Sequence, residues 1–358
     1  MIQGLNSRIN TPSGSYEIET APIPSLFKVV CKVFKKGKIV DFSETPYDEE
    51  LPPKSLLELI HLIHEKKLEE LSTLFHIAQE LVKENKASFY NQLGEVFLRR
   101  GFLEEAELYL RKALELKKNF PEAYLNMGRV YQYKNDFGGA LTYLDMGLLF
   151  SSSPQLLYQK ALCYRELKRE EEAIEELKKA IDKEPKFAKA YFLLGLLSIR
   201  KSPQEAIKYI EKAQTLSSFY RSPLIEDGLN LLRNRKEEEA IRLFNDFETI
   251  LEKDPLPFIS KEFDLFLRYT DHSKRAIVID DYIEKLKEKL KEHPDFADLH
   301  NELGKIYLLA IKHYWNRAVS EFKKATVLNP NYEEAKRNLE ITEYELRGFL
   351  LFLRGLHK

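Results

Sequence analysis

Apolar residues recur three and four positions apart along most of this chain, and they do so in blocks that repeat. From Ala87 to Phe120, Tyr90, Leu93 and Phe97 share one helical face, with Gly94 on it as a small residue for a close neighbour. Gly101 interrupts the run. Glu104 and Glu105 then open a second helix, where the helix dipole favours carboxylates, and Ala106, Leu110 and Ala113 form its stripe. The same chemistry returns as Tyr124, Met127, Gly128 and Tyr131, then Ala140, Leu144 and Gly147. A third block carries Leu157, Ala161 and Tyr164, then Ala173, Leu177, Ala180 and Pro185. A fourth carries Tyr191, Leu194 and Gly195, then Ala206, Ile210 and Ala213. Gly94 to Gly128 and Ala106 to Ala140 are both offsets of 34 residues, a period that predicts a solenoid of helix pairs. Ser202-Pro203-Gln204-Glu205 predicts a capping box at the start of the fourth unit's second helix.

The order aromatic, Leu-Gly, aromatic, Ala, apolar, Ala and Pro resembles the tetratricopeptide repeat (TPR) family over about 130 residues. The resemblance implies a right-handed superhelix of antiparallel helix pairs with a concave groove that takes a protein segment. Positions that line the groove in the family fall here on Asn91, Glu95, Leu98, Arg99, Leu125, Arg129 and Tyr133. In the third and fourth units they fall on Tyr158, Leu162, Arg165, Phe192, Leu196 and Arg200. Family members that grip a C-terminal carboxylate use a lysine and asparagines there; Glu95, Leu125 and Tyr158 depart from that pattern. The mixture of apolar residues and arginines instead suits an amphipathic helix or an extended apolar–acidic segment.

The flanks read differently. Ser15–Thr20 alternates, and Phe27, Val29, Cys31 and Val33 share a face, so residues 1–50 predict a small antiparallel sheet of two or three strands with an acidic linker. Lys35-Lys36-Gly37-Lys38 reads as its hairpin turn, with Gly37 at positive φ. Residues 51–86 predict a helical cap, with Lys54–His64 and Leu68–Asn85 as two helices or one bent one. In these, Leu57, Ile60 and His64 share a face, as do Leu71, Phe75 and Ala78. After four units over 87–220, residues 221–296 keep a degenerate helical pattern: a fifth unit with Gly228, Ala240, Phe244 and Phe247, then helices at Glu262–Thr270 and Ala276–Lys291. Residues 297–358 restore the repeat with Leu303, Gly304, Tyr307, Ala318, Phe322 and Ala325, an inter-helix loop around His313–Asn316, and a final capping helix. The whole reads as mainly α, a TPR-type α-solenoid preceded by a small antiparallel β-hairpin or sheet.

Composition narrows the function. A formal net charge of −1 on 358 residues gives no global field for nucleic acid or an anionic membrane. No run is long and apolar enough to span a bilayer, and the first residues lack the apolar core of a signal peptide, so the expected location is the cytoplasm. Cys31 and Cys163 stand alone and read as core residues in a reducing setting. His61 and His64, three apart, are the nearest approach to a metal pair, and a buried helical face explains them as well. No phosphate loop or nucleophile–base set is present, so no catalytic residue, cofactor or metal is expected. Lysines 28, 32, 35, 36 and 38 make a basic hairpin, either a protected sheet edge or a site for an anionic partner. The expectation is a non-enzymatic scaffold that binds a protein or peptide segment; the alternatives are the platform of an enzyme or regulatory complex, and an anion binder through that hairpin.

Overall fold

Burial along Gly14–Ile23 alternates residue by residue, and that period of two makes it the second strand of a four-stranded antiparallel meander. The computed structural model describes residues 4–253, 263, 275–292 and 297–356, and the chain divides into two units, Met1–Leu251 and Glu252–Lys358. The strands are β1 (Leu5–Thr11), β2 (Gly14–Ile23), β3 (Lys28–Lys35) and β4 (Lys38–Pro46), each paired to the next. Strand β1 is additional to the sequence expectation, because Leu5 and Ile9 are its only apolar residues. Phe27 does not share the β3 face. It sits at φ 48° after a short 3-10 turn, with its ring centroid 6.2 Å from that of Tyr47. At the β3–β4 turn Lys36 and Gly37 both take positive φ, the twist a two-residue hairpin needs.

One face of the sheet is covered by α1 (Pro53–Lys83), a single helix. Tyr16, Ile18 and Thr20 on β2, with Val29, Cys31 and Val33 on β3, are fully buried, and Leu56, Ile60, His64, Leu71 and Phe75 are the buried stripe of α1. The stripe runs through Leu56, leaving the predicted Leu57 exposed. Among the described residues no group of His, Cys, Asp and Glu could hold a metal. His64 is instead a core residue, with Nε2 2.8 Å from Ser7 Oγ and Nδ1 2.9 Å from Thr20 Oγ1.

Helix pairs follow: α2 (Ala87–Arg99) with α3 (Leu103–Leu116), α4 (Pro121–Tyr133) with α5 (Phe137–Leu148), and α6 (Pro154–Glu166) with α7 (Glu170–Lys183). Then come α8 (Ala188–Ser198) with α9 (Pro203–Leu216), and α10 (Pro223–Arg233) with α11 (Glu237–Lys253). The small-residue seam is sterically required. A Cβ on Gly94 would lie 2.4 Å from Leu110, and one on Gly228 2.4 Å from Phe244. The predicted capping box is absent, since the Ser202 side chain makes no cap bond, while Pro203 opens α9 as expected.

The hairpin is joined to the first repeat. Lys35 Nζ lies 2.8 Å from Glu105 Oε1 and 3.2 Å from a Glu104 oxygen; Tyr16 and Ser13 also donate to the Glu105 carboxylate. Tyr16 is ringed by Phe75 at 5.4 Å and Phe102 at 5.2 Å, and Phe97 continues the aromatic cluster to Tyr109 at 5.3 Å. Glu104 and Glu105 therefore hold the sheet as well as opening α3. With Lys36 on Glu104 and Lys28 on Glu44, three hairpin lysines are engaged by carboxylates of the chain itself.

In the second unit, α12 (Arg275–Glu292) and α13 (Ala297–Leu328) share a core of Tyr282, Leu286, Leu299, Ile306 and Leu309 with Phe263, and α14 (Glu333–Leu356) follows. The loop expected at His313–Asn316 is replaced by unbroken helix. Ile306, Leu309, Ala310 and His313 continue one buried stripe, and neither glycine nor proline interrupts it. Gly304 faces open space, so it marks no close helix crossing here. Trp315 Nε1 donates to the Thr342 carbonyl at 2.9 Å, tying α13 to α14. The helix read at Glu262–Thr270 lies outside the described residues except at Phe263.

Candidate functional site

The first helices of successive pairs pack on one another, α2 on α4 and α4 on α6, so residues at equivalent positions form rows across the stack. Lys189 at the start of α8 lies in the field of Arg129 on α4 and Arg99 on α2.

The structure sorts ten of the thirteen groove positions read from the sequence. Tyr133 is 57% exposed, and Leu125, Arg129, Tyr158 and Leu162 are half-buried. Arg99 is largely covered and lies 3.4 Å from Glu95 on its own helix. Asn91 is buried and its Oδ1 accepts from Asn126 Nδ2 at 3.1 Å, a hydrogen bond joining α2 to α4. Arg200 is exposed and pairs with Glu238 at 3.1 Å.

Two of the ten are occupied by the chain itself. Phe192 is 2% exposed, packed between Tyr220 at 5.0 Å and Phe247 at 5.6 Å. It is a core residue, not a surface anchor. Arg165 Nη1 donates to both carboxylate oxygens of Glu248, at 3.0 and 2.8 Å. Phe247 and Glu248 belong to α11, so the fifth pair covers the α6–α8 end of the row.

Desolvation, then Arg129 and Arg99, lowers Lys189 on α8 below the ordinary lysine range, although the residue is exposed to solvent. Burial and then Arg129 likewise lower Arg99, against the opposing pull of Glu95. Sequence reasoning missed Lys189. Its signal was its place one turn before Phe192 on the same helical face, equivalent to Ser88, Glu122 and Gln155 in the earlier units.

Residues 87–120 match the family described as tetratricopeptide repeat, and residues 158–200 match a second TPR repeat description. The chain is a tetratricopeptide repeat protein. Repeats of this kind make it a protein-interaction scaffold. It is 29% identical over 202 residues to the protein O-mannosyl-transferase TMTC3 of Homo sapiens, covering 53% of this chain and 22% of that protein. It is 30% identical over 161 residues to the type IV pilus assembly protein PilF of Pseudomonas aeruginosa, covering 44% of this chain and 64% of that one. The chain thus spans about a fifth of the first relative's length and under two thirds of the second's.

Among solved structures, Pseudomonas aeruginosa PilF aligns at TM-score 0.39 and 24% identity, covering 60% of this chain and 95% of that one. MamA of Desulfovibrio magneticus RS-1 aligns at TM-score 0.36 and 26% identity, with 48% and 97% covered. YrrB, described as a TPR protein with an unusual peptide-binding site, aligns at 0.36 and 18%, with 52% and 97% covered. Among the described residues no helix is long and apolar enough to cross a membrane.

Proposed function

We propose that the chain is a non-enzymatic scaffold that holds an extended or helical segment of a partner protein against the row of first helices α2, α4 and α6. The observation that supports this is the open stretch of large side chains there. Tyr133 is exposed, and Leu125, Tyr158 and Leu162 are half-buried, on a face whose far end α11 covers. Aromatic residues held on a rigid helical frame present much contact area with little rotamer entropy to lose, which suits a docking face. The assembly role named for the Pseudomonas relative is of this interaction class; its pilus is not carried over. Mannosyl transfer is not carried over either, since the match spans 22% of the protein so named. Two buried free thiols, Cys31 and Cys163, support a reducing compartment, the cytoplasm.

Selection from a displayed library of random peptides on the immobilised full chain tests the reading. Selected peptides are expected to lose binding to a Tyr133→Ala, Tyr158→Ala double variant and to keep it when exposed Leu116 on α3 is replaced by alanine. No enrichment, or enrichment indifferent to the tyrosines, would remove the face from consideration.

A further inference from the structure

Each of four repeat glycines meets a large side chain from the second helix of its own pair. Gly94 meets Leu110, Gly128 meets Leu144, Gly195 meets Ile210 and Gly228 meets Phe244, each 2.4–2.7 Å from a would-be Cβ. Gly304 stands in a similar sequence context, after Leu303 and before Tyr307, yet nothing lies within 4 Å of its would-be Cβ. Its complement is nevertheless present in the chain. Ala318, Phe322 and Ala325 repeat the spacing of Ala106, Leu110 and Ala113. Phe322 cannot reach Gly304, because α13 runs unbroken through the place of the expected turn. It stands five full turns on, so it shares the face of Gly304 but lies about 27 Å away along the axis.

That face is apolar and open at its N-terminal half. Tyr307 and Ile311 are each 43% exposed and Tyr314 is 46% exposed. Leu299, Ile306 and Leu309, the residues α13 gives to the core, lie on the opposite side of the helix. The ties to α14 fall on the other half: Trp315 Nε1 to the Thr342 carbonyl at 2.9 Å, and Lys323 to Glu343 at 2.7 Å.

A seam whose two halves lie on one straight helix is complementary to itself. Two copies laid antiparallel and crossing at His313 set Gly304 of each against Phe322 of the other, so both seams close together. The contact is the one that four helix pairs of the chain already make, now between copies. A 32-residue helix is about 48 Å long, and two of them packed along that length bury on the order of 1,000 Å² in total, enough for a specific reversible dimer.

We propose that the chain forms a two-fold dimer by exchanging the halves of α13. The N-terminal half of one copy packs on the C-terminal half of the other as the two helices of one repeat. This goes beyond the scaffold reading and does not depend on it.

Sedimentation velocity on the full chain across the micromolar range tests it, and a dimer is expected. Gly304→Gln should weaken dimerisation about tenfold or more, since the crossing has no room for a side chain. Its helix content should stay at or above that of the wild type, because glutamine is the better helix former and meets nothing in the open helix. Cys31 and Cys163 are buried, so a spin label can be placed at one exposed site per chain. Labels on Asn316→Cys, near the crossing, should lie roughly 20 Å apart between copies, and labels on Asn301→Cys roughly 40 Å apart. A wild-type chain that stays monomeric overturns the exchange, as does a dimer indifferent to Gly304→Gln. A dimer whose Asn301 labels are closer together than its Asn316 labels pairs in another way and overturns it as well.

Discussion

Replacing Glu105 by alanine tests how the sheet is held to the repeats. The Glu105 side chain is 2% exposed and that of its partner Lys35 is 5% exposed, so the substitution strands an ammonium in a site prepared for a pair. Breaking a buried ion pair from one side costs about 3–5 kcal/mol. Glu104, half-exposed at 3.2 Å from the same nitrogen, recovers part of that. The Tyr16 hydroxyl loses its acceptor at the same time, adding about 1 kcal/mol. The expected loss is about 3–4 kcal/mol.

Lys35→Met with Glu105→Leu should be far milder, within about 1–2 kcal/mol of wild type, because neither charge then stays buried alone. Two units of structure make a single melting curve ambiguous, so hydrogen exchange of the β2 and β3 amides is the measurement of choice. Protection there should collapse in Glu105→Ala and recover in the double variant. A loss under about 1 kcal/mol in Glu105→Ala, or a double variant worse than the single, refutes the pair as the sheet's anchor.

Three further outcomes are expected. Glu107 is buried in part, which raises its pKa, but Lys134, Arg111 and Tyr131 outweigh that and hold it at about 2 against an ordinary 4.5. A carboxyl depressed on folding stabilises above its unfolded value and loses that contribution as pH falls toward the folded one. Glu107→Gln should therefore cost about 1–2 kcal/mol at neutral pH, discounted for the exposed Arg111, and almost nothing near pH 2, by urea titration at each pH. Phe192→Ala should cost about 3–5 kcal/mol in thermal unfolding, and Tyr133→Ala under about 0.5 kcal/mol; similar values for the two would return Phe192 to the surface. Gly101→Ala should destabilise by about 1–2 kcal/mol, since φ is +78° and the added Cβ would stand 3.0 Å from the Val40 carbonyl oxygen. Lys168→Gly, at an equivalent turn with φ 61°, should be neutral or stabilising on the same assay.

The repeats were legible because their signal is steric. Where a neighbouring side chain stands 2.4–2.7 Å from a would-be Cβ, glycine is the residue that fits, and Gly94, Gly128, Gly195 and Gly228 keep that record in order. Gly304 shows the limit of the same signal: similar neighbours in sequence, Leu303 and Tyr307, surround it, yet nothing lies within 4 Å of its would-be Cβ. A small residue permits a crossing and does not cause one. The missing break at His313–Asn316 has the opposite origin, since a helix continues by default until a residue stops it. Strand β1 escaped notice because Leu5 and Ile9 alone cannot display a period of two. The basic hairpin misled for a different reason: Glu105 lies 70 residues from Lys35, and no local pattern records that pairing.

The proposed binding face was legible in part, and the division has a single cause. Arg129 and Arg165 lie on successive first helices, about one turn apart in repeat phase, and both read from sequence as groove cations. Their fates diverge because α11 carries Glu248 to one, while no carboxylate of the described residues pairs with the other. Helical phase decides which side chains turn inward, and a one-residue slip would rotate that choice by about 100°. Occupancy is decided later, by which distant element comes to rest on the row. Phe192 illustrates the same rule for apolar residues: inward by phase, then covered by Phe247. Because α11 supplies an aromatic and a carboxylate together, one distant helix answers both an apolar and a charged side chain of the α6–α8 end, Phe192 and Arg165.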